Sequence, residues 1–291
     1  MKLPSFFVFA LAFVLSLLAV TAYADTLGPA LDPFAVLGGS AVTNASAGGS
    51  AATIITGSLG VSPGSSITGF PPGIVVGGTI TNTGTAAAAQ LDLTAAIGAL
   101  NALGTTSSFA AGTLSGQTLG PGVYNVASAA IDLLANSTLT LTGTGQFVFR
   151  MSSTLTLGPG VTIDISGLGA GSSLYWLAPG ATTAVTLGTN ADFQGNILAN
   201  GSIIFNPGAT DGCGRALSQD KIVSFAGVGT TVETGESAVE ANQVGGGCLG
   251  VLANSDSLNG GSGPVSAPEP GTLTLLSSGL AIGLLKLRKL R

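Results

Sequence analysis

Apolar residues recur along this chain at two periods. Between residues 86 and 103, Ala89, Leu93, Ala96, Ile97, Leu100 and Leu103 fall at i, i+4, i+7, i+8, i+11 and i+14. That is one stripe of a helix, and Gly104 follows as a stop. Elsewhere the period is two. In "VTIDIS", Val161, Ile163 and Ile165 take one side and Asp164 the other. "FAVLGGSAVTN" and "ATIITGSLGVSPGSSITGFPPGIVVGGTI" are short apolar runs cut by Gly, Pro, Ser and Asn, which predicts short strands and tight turns.

After Gly112 the pattern repeats. The hexapeptide "TLGPGV" stands at Thr118–Val123 and again at Thr156–Val161, followed by Thr186-Leu-Gly-Thr-Asn-Ala and Phe205-Asn-Pro-Gly-Ala-Thr. "DFQGNILA" from Asp192 matches "DGCGRALS" from Asp211. That step defines a unit of roughly 19 residues, which suits one turn of a β-solenoid with three short strands. The Gly-Pro-Gly and Gly-Thr-Asn steps would be corners that need unusual φ. The longer step from Thr156 to Thr186 predicts an insertion around Gly167–Ser173. Leu119 and Leu157 should then point into the stack, and Thr118 and Thr156 out of it. The outward positions suggest a coil-to-coil S/T-x-x-T ladder: Ser115 with Thr118, Ser137 with Thr140, Ser153 with Thr156, Thr183 with Thr186. Gly201-Ser-Ile-Ile204 and Asp220-Lys-Ile-Val223 then break it.

Composition sharpens this picture. Glycine supplies 46 of 291 residues while only 7% are charged, which suits stacked strands and argues against a disordered chain. Lys2, the apolar run Phe6–Val20 and Ala22-Tyr23-Ala24 read as a signal peptide over residues 1–24. Residues 226–267 read as a flexible Gly-rich stalk. Pro268-Glu269-Pro270, the apolar stretch Leu273–Leu285 and the basic residues Lys286, Arg288, Lys289 and Arg291 follow in that order. The stretch reaches only about 20 Å as a helix, against a hydrocarbon core of roughly 30 Å. Residues 268–291 resemble the PEP-CTERM sorting signal of Gram-negative bacteria. That resemblance implies recognition by an exosortase-type protease and delivery to the cell surface or matrix.

Between Asp25 and Ala267 the only cations are Arg150, Arg215 and Lys221, against twelve carboxylates, so no basic footprint for nucleic acid exists. Histidine is absent, which excludes His-based triads and most zinc sites. No cofactor is expected. Cys213 and Cys248 either form a disulfide in an exported chain or remain two thiols. Asp192 and Asp211, equivalent by the repeat, would lie about 5 Å apart in neighbouring coils. Such a pair fits a retaining glycosidase or a weak Ca²⁺ site, with Arg215 the only base nearby; the alternative is two solvated corner aspartates. Asp164 and Arg150 read as surface residues, and Glu233, Glu236 and Glu240 as part of the stalk.

"FAVLGGSAVTN", "GSLGVSPGSSITGFPPG", the Ala-rich helix, "LGPGVYN", "QFVF" and "FQGNILA" together resemble the microbial ice-binding proteins, from about Asp32 to Phe225. The resemblance implies an all-β, three-sided, right-handed parallel β-helix over residues 25–225, with the helix packed alongside. It implies a non-enzymatic exported protein whose partner is ice or ordered water, held on a flat Thr/Ser-rich face. The alternative is a matrix or adhesion protein on the same scaffold, with extracellular polysaccharide as its partner.

Overall fold

The computed structural model describes residues 26–45, 53–169, 172–226 and 231–233. The signal-peptide, stalk and sorting-signal readings lie outside these residues, apart from residue 226 and the strand Thr231–Glu233 within the expected stalk. The described chain winds into a parallel β-solenoid with three faces. Each turn visits face A, then B, then C.

The order of strands on each face differs from the order in the chain. On face A, from one end to the other, run Ser107–Phe109, Gly122–Val126, Gln146–Met151, Ser173–Ala178, Asn196–Ala199, Ala216–Ser218, Phe34–Gly38, Ser58–Val61 and Ile80–Thr81. The N-terminal strand Phe34–Gly38 therefore pairs with the late strand Ala216–Ser218. After Thr81 the helix Gly84–Asn101 carries the chain along face A, and winding resumes from the far end. The solenoid is discontinuous in sequence and continuous in hydrogen bonding.

Turn length varies, as the insertion requires. Leu155 pairs with Val185 and Val185 with Ile203, so a long turn is followed at once by a much shorter one. Corners use left-handed backbone, with φ of 56° at Asn136, 65° at Gly160, 55° at Asn190 and 72° at Gly208. The two hexapeptides occupy different corners. Thr118–Val123 turns from face C to face A, while Thr156–Val161 turns from face B to face C. Tyr124 braces the first corner, its hydroxyl donating to Gly120 O at 2.6 Å.

The middle strands of face A are buried on both sides, which explains unbroken apolar runs such as "SLYWLA". Inside, Tyr124, Phe149 and Trp176 stack coil over coil, at centroid distances of 5.2 and 4.2 Å. Outside, Phe34, Leu37, Val148, Tyr175, Leu177, Leu198 and Leu217 pack under Ala86, Ala89, Leu93, Ala96 and Leu100 of the helix. The helix is thus where the apolar stripe places it, except that Leu103 lies beyond its end and is exposed. Arg150 is no free surface residue: its guanidinium donates to Asn101 O at 2.8 Å and Leu103 O at 3.0 Å, closing the helix's carbonyl end.

Candidate binding face

With the middle of face A covered by the helix, faces B and C offer the longest outward strand surface. Face B comprises Leu155–Thr156, Thr183–Leu187, Ser202–Phe205, Ile222–Phe225, Ala41–Asn44 and Ser66–Thr68. Leu155, Val185, Ile203, Val223, Val42 and Ile67 pair in one inward column. One residue later the side chains turn out, and Thr156, Thr186, Ile204, Ser224, Thr43 and Thr68 form a column across all six strands. A second outward column holds Thr183 paired with Ser202, and Ile222 with Ala41 and then Ser66. Neither column contains a charge. The rungs repeat at the strand spacing of about 4.8 Å. Thr43 Oγ1 donates to Ser224 Oγ at 3.1 Å, joining the rung from the N-terminal strand to the rung from the late one.

Asp132 finishes the edge of this face. Its Oδ2 accepts the N–H of Thr156 at 2.7 Å, and its own N–H donates to Thr156 O at 2.8 Å. A side chain and a loop here stand in for the strand that faces A and C have and face B lacks. Burial raises the Asp132 carboxyl above its ordinary value, and the N–H groups of Thr156 and Ala129 oppose the rise.

Face C is chemically different. Thr118 pairs with Thr140 and Thr140 with Asp164. Beside them Thr138, Thr162, Asp192, Thr210, Thr231, Ile54 and Ile74 form a second column. Two carboxylates therefore stand within its Thr columns.

The single four-rung ladder expected from S/T-x-x-T does not form. Thr118 and Thr140 are neighbours on face C, and Thr156 and Thr186 are neighbours on face B. Ser115 and Ser137 sit at the corner leading into face C, where Ser137 Oγ donates to Ser115 Oγ at 3.1 Å and Ser115 Oγ accepts Leu134 N–H at 2.7 Å. Ser153 and Thr183 stand at the entry to face B. The hydroxyl ladder on face B breaks after Thr186, where Ile204 stands beside it, and resumes beyond the break at Ser224 and Thr43. The outward columns pass through Ser202 and Ile204, then Ile222 and Ser224, and end on the N-terminal strands. The S/T-x-x-T motif misses Thr43, Ser66, Thr68, Ser202 and Ser224, whose spacing is S/T-apolar-S/T or its one-sided form. The stacking of the first strands on the last ones leaves no local signal.

Asp192 and Asp211 are not equivalent. Asp192 pairs with Thr210, whereas Asp211 pairs with Phe193. The repeat is shortened here and regains its sequence-derived length where Ile197 pairs with Ala216. A one-residue slip reverses the side, so Asp192 points out while Asp211 is fully buried. Neither the acid pair nor the solvated-corner alternative holds for Asp211. Burial pushes its carboxyl well above the usual range, and the N–H groups of Cys213 and Gly195 and the Arg215 guanidinium act the other way. Burial also raises Asp192, opposed by Gln194 and Thr210. Arg215 is itself buried, donating to Asn196 Oδ1 at 3.3 Å and Asp32 O at 3.2 Å. Asp164 is half-buried and accepts Ser166 N–H at 2.9 Å. Cys213 is buried and disulfide-bonded; Cys248 lies outside the described residues. Among the described residues no group of three or more metal-ligating side chains gathers.

Residues 36–231 match the family described as ice-binding-like. An ice-binding protein of Nostoc sp. (strain HG1) is 37% identical over 192 residues, which are 66% of this chain and 68% of that one. Among solved structures, an ice binding protein from an Antarctic biological consortium shares 33% identity at a TM-score of 0.53, covering 70% of this chain and 88% of the other. An ice-binding protein of the Antarctic ascomycete Antarctomyces psychrotrophicus shares 30% identity at a TM-score of 0.57, covering 70% and 95%.

Proposed function

The chain belongs to the ice-binding-like family, and from that premise we propose that it adsorbs to ice through face B. The observation that carries the choice of face is its pair of outward columns, in register and free of charge. Ice presents a lattice of water with fixed spacing. A regular array of Thr and Ser hydroxyls can take places in hydrogen bonds to such a lattice, and the Thr, Ala and Ile methyl groups fit between them. A carboxylate in the contact area would have to give up or distort its own strong hydration, at a cost. Face C carries Asp164 and Asp192 in its columns and so makes the poorer contact. Growth between adsorbed molecules is then hindered by the curvature forced on the ice front, which inhibits recrystallisation.

This action forms and breaks no covalent bond and uses no cofactor. The comparisons lend no support to the matrix and adhesion alternative. The signal-peptide and sorting-signal patterns support export to the cell surface or surroundings, with removal of residues 1–24 and processing of residues 268–291 by an exosortase-type protease. Mass spectrometry of the protein recovered from its cells tests both cleavages; intact termini on the exported protein would overturn them.

A further inference from the structure

We propose that the ridge between faces C and A is the side by which the protein is tethered, with a disulfide from Cys213 to Cys248 holding the chain that follows Glu233 against it. Whatever is attached through the C-terminal segment then lies behind the molecule, and face B stays open. The partner on that side is the cell surface, to which residues 268–291 are read as directing the chain. Its identity rests on that reading; the position of the tether does not.

Each turn passes from face C to face A through one corner, and these corners stack into a ridge opposite face B. Cys213 stands in that ridge, between Thr210–Asp211 on face C and Ala216–Ser218 on face A. It is buried and disulfide-bonded, and Cys248 is the only other cysteine of the sequence. The corner is firm: Gly212 N–H donates to Phe193 O at 3.1 Å, and Gly195 N–H donates to Cys213 O at 2.9 Å. Joining the two thiols releases two protons and passes two electrons to a disulfide-bearing oxidant, as happens in compartments outside the cytoplasm.

The described chain ends at the same place. Val232 pairs with Asp211, two residues before Cys213. Glu233 pairs with Thr56, after which Gly57 leads to Ser58–Val61 on face A. The strand Thr231–Glu233 therefore runs toward the ridge and stops beside the Cys213 corner. The point of departure and the staple stand on neighbouring rungs, about 4.8 Å apart along the stack. Both lie well inside the stack: Ala216–Ser218 is the fourth of nine strands on face A, and Thr210–Asp211 the fourth of eight on face C, counted from the Ile80 and Ile74 ends. A tether leaving the middle of the ridge, opposite a flat face, turns that face outward. One leaving from an end of the solenoid would let the body lie on any side.

Arg215 and Lys221 separate the two cysteines, so a non-reducing tryptic digest of the purified chain should give residues 151–215 joined to the peptide that starts at Ile222. Nitroxide labels on azide-bearing residues then locate the tether. One label is placed at 251 and the other at 144, on the ridge, or at 183, on face B; the mean distance to 144 should be the shorter. Cys213→Ala with Cys248→Ala should bring the two distances together. Streptavidin on a biotin at 251 should leave ice recrystallisation inhibition unchanged, and streptavidin at 183 should abolish it. Unlinked cysteine peptides, equal distances to 144 and 183 in the wild type, or inhibition lost with streptavidin at 251 would each overturn the assignment. Inhibition absent from the unlabelled chain would instead count against ice binding, and the digest and the distances would still decide where the tether lies.

Discussion

Single side chains here owe their chemistry to which side of a strand they occupy. Asp211 would be solvated one position earlier; in place it is buried against Arg215 and its pKa is raised well above the ordinary value. The sign for stability follows. A carboxyl that holds its proton more tightly when folded adds stability below its unfolded pKa and loses it as pH rises through the folded one. Asp132 and Asp192 are raised as well. The melting temperature should therefore rise as pH falls from the alkaline side toward the ordinary carboxylate range. Asp211→Asn should gain relative to wild type on the alkaline side and lose the advantage toward the carboxylate range, in melts by circular dichroism. A difference that ignores pH would contradict the assignment. The corners make a second residue-scale prediction. Gly208 has φ of 72°, and a Cβ there would stand 2.1 Å from Asn190 Oδ1. Gly208→Ala should cost roughly 1–2 kcal/mol in urea unfolding, from the left-handed backbone alone.

Strands and the helix are legible in the sequence to different degrees. The helix is readable because one stripe of Ala and Leu spans it, and its buried residues are members of that stripe together with Ala86. Leu93→Ala should cost about 2–5 kcal/mol, since Leu93 is fully buried between helix and face A. Its folded fraction should keep full ice activity, because face B is elsewhere; loss of activity in step with stability would argue that face A takes part. The strands are legible as strands, and Thr156 with Thr186 as neighbours. Their faces are not. Two copies of one hexapeptide serve different corners, and turns of unequal length, Leu155 to Val185 and then Val185 to Ile203, shift the frame between them. A motif with fixed spacing therefore gathers Thr118 and Thr140 with residues from another side.

At the scale of the whole molecule, the chain closes its stack by returning to its own beginning. Phe34–Gly38 and Ala41–Asn44 continue the sheets left by Ala216–Ser218 and Ile222–Phe225. Half of the main outward column on face B therefore comes from residues that begin or end the described fold: Ser224, Thr43 and Thr68. No short-range pattern in the sequence carries that junction, because it joins segments as far apart in the chain as Thr43 and Ser224. The measurement that tests the account most directly is ice recrystallisation inhibition by three folded proteins. These are the wild type, a face B double variant (Thr43→Tyr with Thr186→Tyr), and a face C double variant (Thr140→Tyr with Thr162→Tyr). The account predicts inhibition by the wild type and the face C variant and its loss in the face B variant. Loss in the face C variant with the face B variant still active would contradict the choice of face. No inhibition by the folded wild type would contradict ice binding itself.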